Sequence, residues 1–191
     1  MSMRSYFAER QGLSAVLGTQ VQRLTSPVDA LAIVAKKLAT VKPTYVTTAW
    51  AASITWGNFT GRVNANTRRE AKEQTSILLL DELETHFRHN LWTPSGIRLR
   101  YQLPIHYGKS AGGILYRAEA MGAIQNMTIN KRGGVVDMTF TIENEDEPMT
   151  FRASSHSNNT ALGLVLGQLP LGKMKQAMEK RVASDVRPLV T

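Results

Sequence analysis

Glu82, His86 and His89 lie within two turns of one predicted helix. Side chains three or four residues apart share a helix face, so this spacing can hold a metal ion. No HExxH pattern and no cysteine supports that role, and His86, Arg88 and His89 also suit the negative end of a helix dipole, the ordinary structural use. Gly108-Lys109-Ser110 invites a phosphate loop, because backbone amides and a lysine can cradle phosphates. The Walker pattern requires glycine where Leu103 stands, so the segment reads as a flexible loop. Glu143, Glu145, Asp146 and Glu147 lack the alternating Asp/Asn and the glycine of a calcium loop, and read as a solvated turn. There is no Gly-x-Ser-x-Gly. With Cys 0, a thiol nucleophile, a disulfide scaffold and Cys-ligated zinc or iron–sulfur are excluded. The expectation is a non-enzymatic protein with no cofactor and no metal site.

The basic residues make the stronger case. Lys+Arg 23 against Asp+Glu 15 gives a formal +8 over 191 residues. Arg62, Arg68 and Arg69 cluster at a strand–helix junction, and Arg98 and Arg100 fall on one face of a predicted strand. Lys131 and Arg132 tip a hairpin, and Lys173, Lys175, Lys180 and Arg181 line a tail helix. Such groups on a common surface bind phosphates in a salt-sensitive way. Both ends of the chain are basic, while residues 111–160 are mildly acidic. Trp50 and Trp56 are assigned to the core, which leaves no aromatic ladder for reading bases.

The elements that must position these groups follow from periodicity. Residues 1–42 read as a basic helical arm: Ser26-Pro27-Val28-Asp29 opens a helix, and Leu31, Val34, Leu38 and Val41 form its apolar line. Tyr45–Trp56 alternates as one long strand with Val46, Trp50, Ile54 and Trp56 inward. Thr67-Arg68-Arg69-Glu70 has capping-box spacing and opens a central helix burying Ile77, Leu80, Leu83, Phe87 and Leu91. Strands are expected at Ile97–Gln102, Ile114–Met121, Met127–Ile129, Val135–Ile142 and Met149–Arg152. In Val135–Ile142 the residues Val136, Met138, Phe140 and Ile142 face inward. The tail from Thr160 reads as an apolar segment and then a basic amphipathic helix. The expected fold class is α+β: a mostly antiparallel sheet of about five or six strands, one long helix packed on it, and helices at both ends. The expected organisation is an arm over 1–42, a core domain over 43–159 and a basic helical tail over 160–191.

The segment Arg132–Glu147, followed by Pro148-Met149, resembles the C-terminal strand of rhabdovirus matrix proteins: an alternating strand ends in an acidic turn, then a short strand and a helix follow. The element order over about residues 44–182 is similar too. The proline-rich late-domain motif common in animal-virus members is missing from the N-terminal arm. The resemblance implies a small basic virion protein that self-associates, binds nucleocapsid or nucleic acid, and touches an anionic membrane surface through its basic arm and tail. The alternative is a phage- or plasmid-type nucleic-acid-binding regulator, and a small hydrolase or nuclease ranks behind it. Met1–Phe7 has no hydrophobic signal region, Ser2 stands where myristoylation needs glycine, and no apolar run is long enough to span a bilayer. The expected location is therefore the virion or host cytoplasm, soluble or peripheral to a membrane.

Overall fold

A computed structural model describes residues 2–89 and 94–184. It is an α+β protein with eight α-helices among the described residues and two separate three-stranded antiparallel sheets. The expected single sheet of five or six strands is thus two sheets of three. The chain divides into two compact units at His106/Tyr107, within the segment expected as one core domain.

The first unit begins with α1 (Met3–Ala8), α2 (Gln11–Leu17) and a 3-10 turn (Gly18–Arg23). These are not a free arm. Tyr6, Phe7, Leu13 and Leu17 are fully buried in the unit's core, each apolar side chain contributing roughly 1.5–3 kcal/mol. Polar anchors fix the approach. The Tyr6 hydroxyl and Arg10 Nε donate to Asp81 Oδ1 at 2.7 and 2.8 Å. Gly12 allows the contact, since a Cβ there would stand 2.7 Å from the backbone nitrogen of Arg88. Helix α3 (Pro27–Lys37) forms as its sequence dictates: the Ser26 side chain caps the Asp29 N–H, and Leu31, Val34 and Leu38 are buried. Val41 lies beyond the helix and is exposed.

The expected long strand is two strands. β1 (Thr44–Thr47) and β2 (Ala51–Trp56) form a hairpin closed by Thr48 N–H donating to Ala51 O at 2.8 Å. Alternation that runs on through a turn looks like one continuous strand, and this hides the hairpin. The turn also reverses β1's sides. Val46 pairs with Ser53 on the open face and is 71% exposed, while Tyr45 pairs with Ile54 on the covered face. β3 (Phe59–Asn64), concealed in the sequence by Gly57 and Gly61, pairs with β2 from Trp56↔Phe59 to Ala51↔Asn64. Gly57 has φ +60, and an added Cβ would sit 1.6 Å from Tyr101 O. Helix α4 (Arg68–Arg88) covers the sheet's inner face with Leu79, Leu80, Leu83 and Phe87 buried; Ile77 is half-buried, and Leu91 lies outside the described residues. The expected strand Ile97–Gln102 falls instead in helix α5 (Pro94–Tyr101) and the residue after it. Proline at the first helical position favours that start, and Ile97, Arg98 and Tyr101 turn inward at helical spacing while Leu99 is 54% exposed.

The second unit runs α6 (Ala111–Ala120), β4 (Ile124–Arg132), β5 (Val135–Ile142), β6 (Met149–Ser154), α7 (Asn158–Gly167) and α8 (Leu171–Ser184). The expected strand Ile114–Met121 is helix α6. Ser110 Oγ caps the Gly113 N–H at 3.1 Å, and Ile114, Leu115 and Ala118 are buried along one side. β5 is as expected, with Val136, Met138, Phe140 and Ile142 all buried. Its hairpin with β4 turns at Gly133-Gly134, where φ is +57 and +81. Phe140 stacks on Phe151, with centroids 5.5 Å apart. Helix α7 packs on β5 and β6, burying Ala161 and Val165. Helix α8 buries Met174 and Met178 and leaves Lys173, Lys175 and Lys180 exposed. No helix among the described residues is long and apolar enough to cross a membrane.

Candidate nucleic-acid interface

Exposed arginines flank the β3–α4 junction of the first unit. Thr67 Oγ1 accepts the Glu70 N–H at 3.1 Å and starts α4, so Arg68 and Arg69 occupy its exposed first turn. Arg69 pairs with Glu73 at 3.1 Å, a solvent-facing i,i+4 contact that leaves the Arg69 side chain 88% exposed. Arg62 is exposed on the open face of β3, its Cα opposite that of Ser53. The first-turn peptide N–H groups add positive potential at the same place.

Two further residues near this end are not evident from composition, and only the second is exposed. Lys72, one turn further along α4, lies over the Tyr45 ring with Nζ 4.7 Å from its centroid. Trp50, assigned from the sequence to the core, is 68% exposed at the tip of the β1–β2 hairpin. The Ala65 N–H donates to Trp50 O at 2.8 Å, fixing the hairpin tip two residues before the Thr67 cap. An exposed tryptophan thus stands beside the start of a helix that opens with two arginines. The one available signal was length: twelve alternating residues exceed the usual strand of about 5–6, so a turn inside them was the better division.

Arg98 does not belong to this surface. Only 3% exposed, its guanidinium donates to Leu38 O and, at 3.2 Å, to Ala39 O, capping the end of α3. Sequence alternation gave it a solvent face; a helical α5 turns it inward, where the carbonyls left over at the end of α3 receive it. Arg100 is exposed on α5. In the second unit Lys131 and Arg132 are exposed at the hairpin tip. The tail cations are largely engaged within their own unit. Arg181 Nη1 donates to Glu143 Oε1 at 2.6 Å, Lys173 lies 3.9 Å from Glu145, and Lys175 Nζ is 5.8 Å from the Tyr107 ring centroid. Lys180 is exposed.

The histidine pair separates. His86 is buried, with Nε2 3.0 Å from the Tyr101 hydroxyl, which donates to Glu82 Oε1 at 3.0 Å. With the hydroxyl proton committed to Glu82, Nε2–H is the donor to Tyr101. Burial lowers the His86 pKa from its ordinary 6.5, and Arg100 adds to the effect against the opposing pull of Glu82. Burial and the Glu82 contact push the Tyr101 hydroxyl upward. His89 is exposed at the end of α4. Among the described residues no three ligating side chains come together in a way that would hold a metal ion.

No protein-family model matches the chain, and no curated protein matches it significantly.

Proposed function

We propose that this protein binds the backbone of a double-stranded nucleic acid, with RNA preferred, through the end of the first unit that carries Trp50, Arg68 and Arg69, with Arg62 on the adjoining open sheet face. The observation that carries it is the Ala65–Trp50 hydrogen bond, which holds an exposed aromatic hairpin tip beside an arginine-rich helix start. Arginines and first-turn amides suit phosphate oxygens. One tryptophan is too few for a platform that stacks successive unpaired bases, but it suits the sugar edge of a groove. A-form RNA duplexes offer that combination, a shallow minor groove with 2′-hydroxyls flanked by phosphates, and are bound by shape more than by base sequence.

The test is fluorescence anisotropy with a labelled duplex RNA, a single-stranded RNA and a duplex DNA of equal length, across a salt series. Duplex RNA is expected to bind most tightly, with affinity falling steeply as salt rises. Binding that ignores salt, or that survives Arg68→Ala/Arg69→Ala undiminished, overturns the proposal.

A wider role as a self-associating, matrix-like virion protein would direct the same surface at nucleocapsid. Val46, an exposed valine on edge strand β1, favours pairing between copies. Contact with an anionic membrane surface rests on Lys180 and the other tail cations, most of which already have partners in the second unit. Light scattering at low and high salt tests the assembly, and flotation with anionic vesicles tests the membrane contact. A monomer at all salts and an absence of flotation would reduce the role to nucleic-acid binding by a regulator-type protein.

A further inference from the structure

The two units are built alike, strand for strand. Each has a serine-capped helix, at Ser26 and at Ser110, three antiparallel strands, and a second helix capped by Thr67 or Ser157. The registers coincide. Thr44↔Thr55 and Thr55↔Thr60 in the first sheet correspond to Thr128↔Thr139 and Thr139↔Thr150 in the second, one row of three threonines in each. Arg62, opposite Ser53, corresponds to Arg152, opposite Asp137. The buried sets also match: Leu31 with Leu115, Ala39 with Ala123, Ile54 with Met138, Trp56 with Phe140, and Ala71 with Ala161. The likeness stops at this core: α1, α2, the 3-10 turn and α5 of the first unit have no counterpart among the described residues of the second, and β4 is longer than β1 and shifts register between Gln125 and Thr128. A longer acidic turn separates β5 from β6, and Pro170 falls where α4 continues unbroken through Leu80, dividing the second unit's last helix into α7 and α8.

The hydrogen bond that joins hairpin tip to helix start is repeated as well. Ser155 N–H donates to Gly134 O at 2.8 Å, as Ala65 does to Trp50, and the Gly134 N–H donates to Asn158 Oδ1 at 2.8 Å. Asn158 and Asn159 replace Arg68 and Arg69 at the helix start. The cations have moved to the other half of the same end: Lys131 and Arg132 are exposed on the hairpin where the first unit has Thr47 and Thr48. Arg152 is drawn to Asp137 at 3.4 Å and contributes less.

We propose that the chain is an internal duplication in which each unit carries its own polyanion contact at the same end of the shared core, the second being the Lys131–Arg132 hairpin tip beside Asn158. This rests on the function proposed above. Each phosphate contact removed lowers the salt slope by about one.

The experiment uses the full chain, labelled duplex RNA and three double variants: Arg68→Ala/Arg69→Ala, Lys131→Ala/Arg132→Ala, and Lys36→Ala/Lys37→Ala at the far end of α3 as a charge control. The first two are each expected to weaken binding by about tenfold or more and to reduce the salt slope by about two, with the control within about twofold of the parent protein. Unchanged melting in circular dichroism shows that the variants are folded. If Lys131→Ala/Arg132→Ala behaves like the parent while Arg68→Ala/Arg69→Ala does not, the second site is overturned and the first stands. If the control falls as far as the others, binding is diffuse and the second site is also overturned. If the parent protein fails to bind, the proposed function itself falls.

Discussion

The buried carboxylate of Glu84 accepts the backbone N–H of Leu13 at 2.7 Å and that of Gly12 at 3.2 Å. A side chain of α4 therefore caps the start of α2 from outside, and Arg88 closes the pair from the next turn at 3.1 Å. Glu84→Gln keeps the shape and removes the charge. It is expected to cost roughly 1.5–3 kcal/mol, the range for hydrogen bonds to charged groups, read as a lower urea midpoint and as faster amide exchange at Gly12 and Leu13.

Arg98 is expected to act on stability alone. Arg98→Met removes the donors to Leu38 O and Ala39 O and should destabilise by about 2–4 kcal/mol. Where the variant remains folded, its salt slope for nucleic acid should equal that of the parent protein. A changed slope would return Arg98 to the binding surface.

Trp50 should behave in the opposite way. It is exposed, so Trp50→Ala is expected to shift stability by no more than about 0.5 kcal/mol. Affinity for duplex RNA should fall by about fivefold or more, the loss of one ring contact of about 1 kcal/mol. Equal affinity would remove the hairpin tip from the interface.

His86 gives stability a pH dependence with a definite sign. Its folded pKa lies below the ordinary 6.5, mainly through burial, so between those two values the unfolded chain binds more protons. Its contribution is full above about pH 6.5 and is lost as pH falls from there through the lowered folded value. Urea unfolding at a series of pH values should show this decline, and His86→Gln should flatten it in that window.

Gly57→Ala tests the junction between the β2–β3 turn and α5. Positive φ and the closeness of Tyr101 O both oppose a methyl group, and the Asn58 N–H bond to Tyr101 O at 2.9 Å would be displaced. A loss on the order of 3 kcal/mol is expected from thermal denaturation.

Much of this architecture was legible wherever a cap and a period agreed. Ser26, Thr67 and the alternating Val136–Ile142 each led to the right element because local chemistry and burial point the same way. The short segments went astray. Ile97–Tyr101 and Ile114–Met121 support either period over so few residues, and the deciding facts, a buried Arg98 satisfied by α3 and a Ser110 cap on Gly113, are tertiary or easily taken for a loop. The interface was half visible. Arg62, Arg68 and Arg69 are apparent from charge, but placing Trp50 beside them depends on a turn that alternation concealed.

The shared register of the two sheets also bears on how the chain reaches its native state. While it folds, β2 meets in β4 a partner whose Thr128 stands where β1 has Thr44, so a swapped sheet is a competing product of ordinary strand pairing. What separates right from wrong is proximity along the chain. β1 reaches β2 across a tight turn, as β4 reaches β5 through Gly133-Gly134, so each hairpin closes before a distant strand can intrude. The two short turns thus act as timekeepers, protecting a repeated fold from its own likeness.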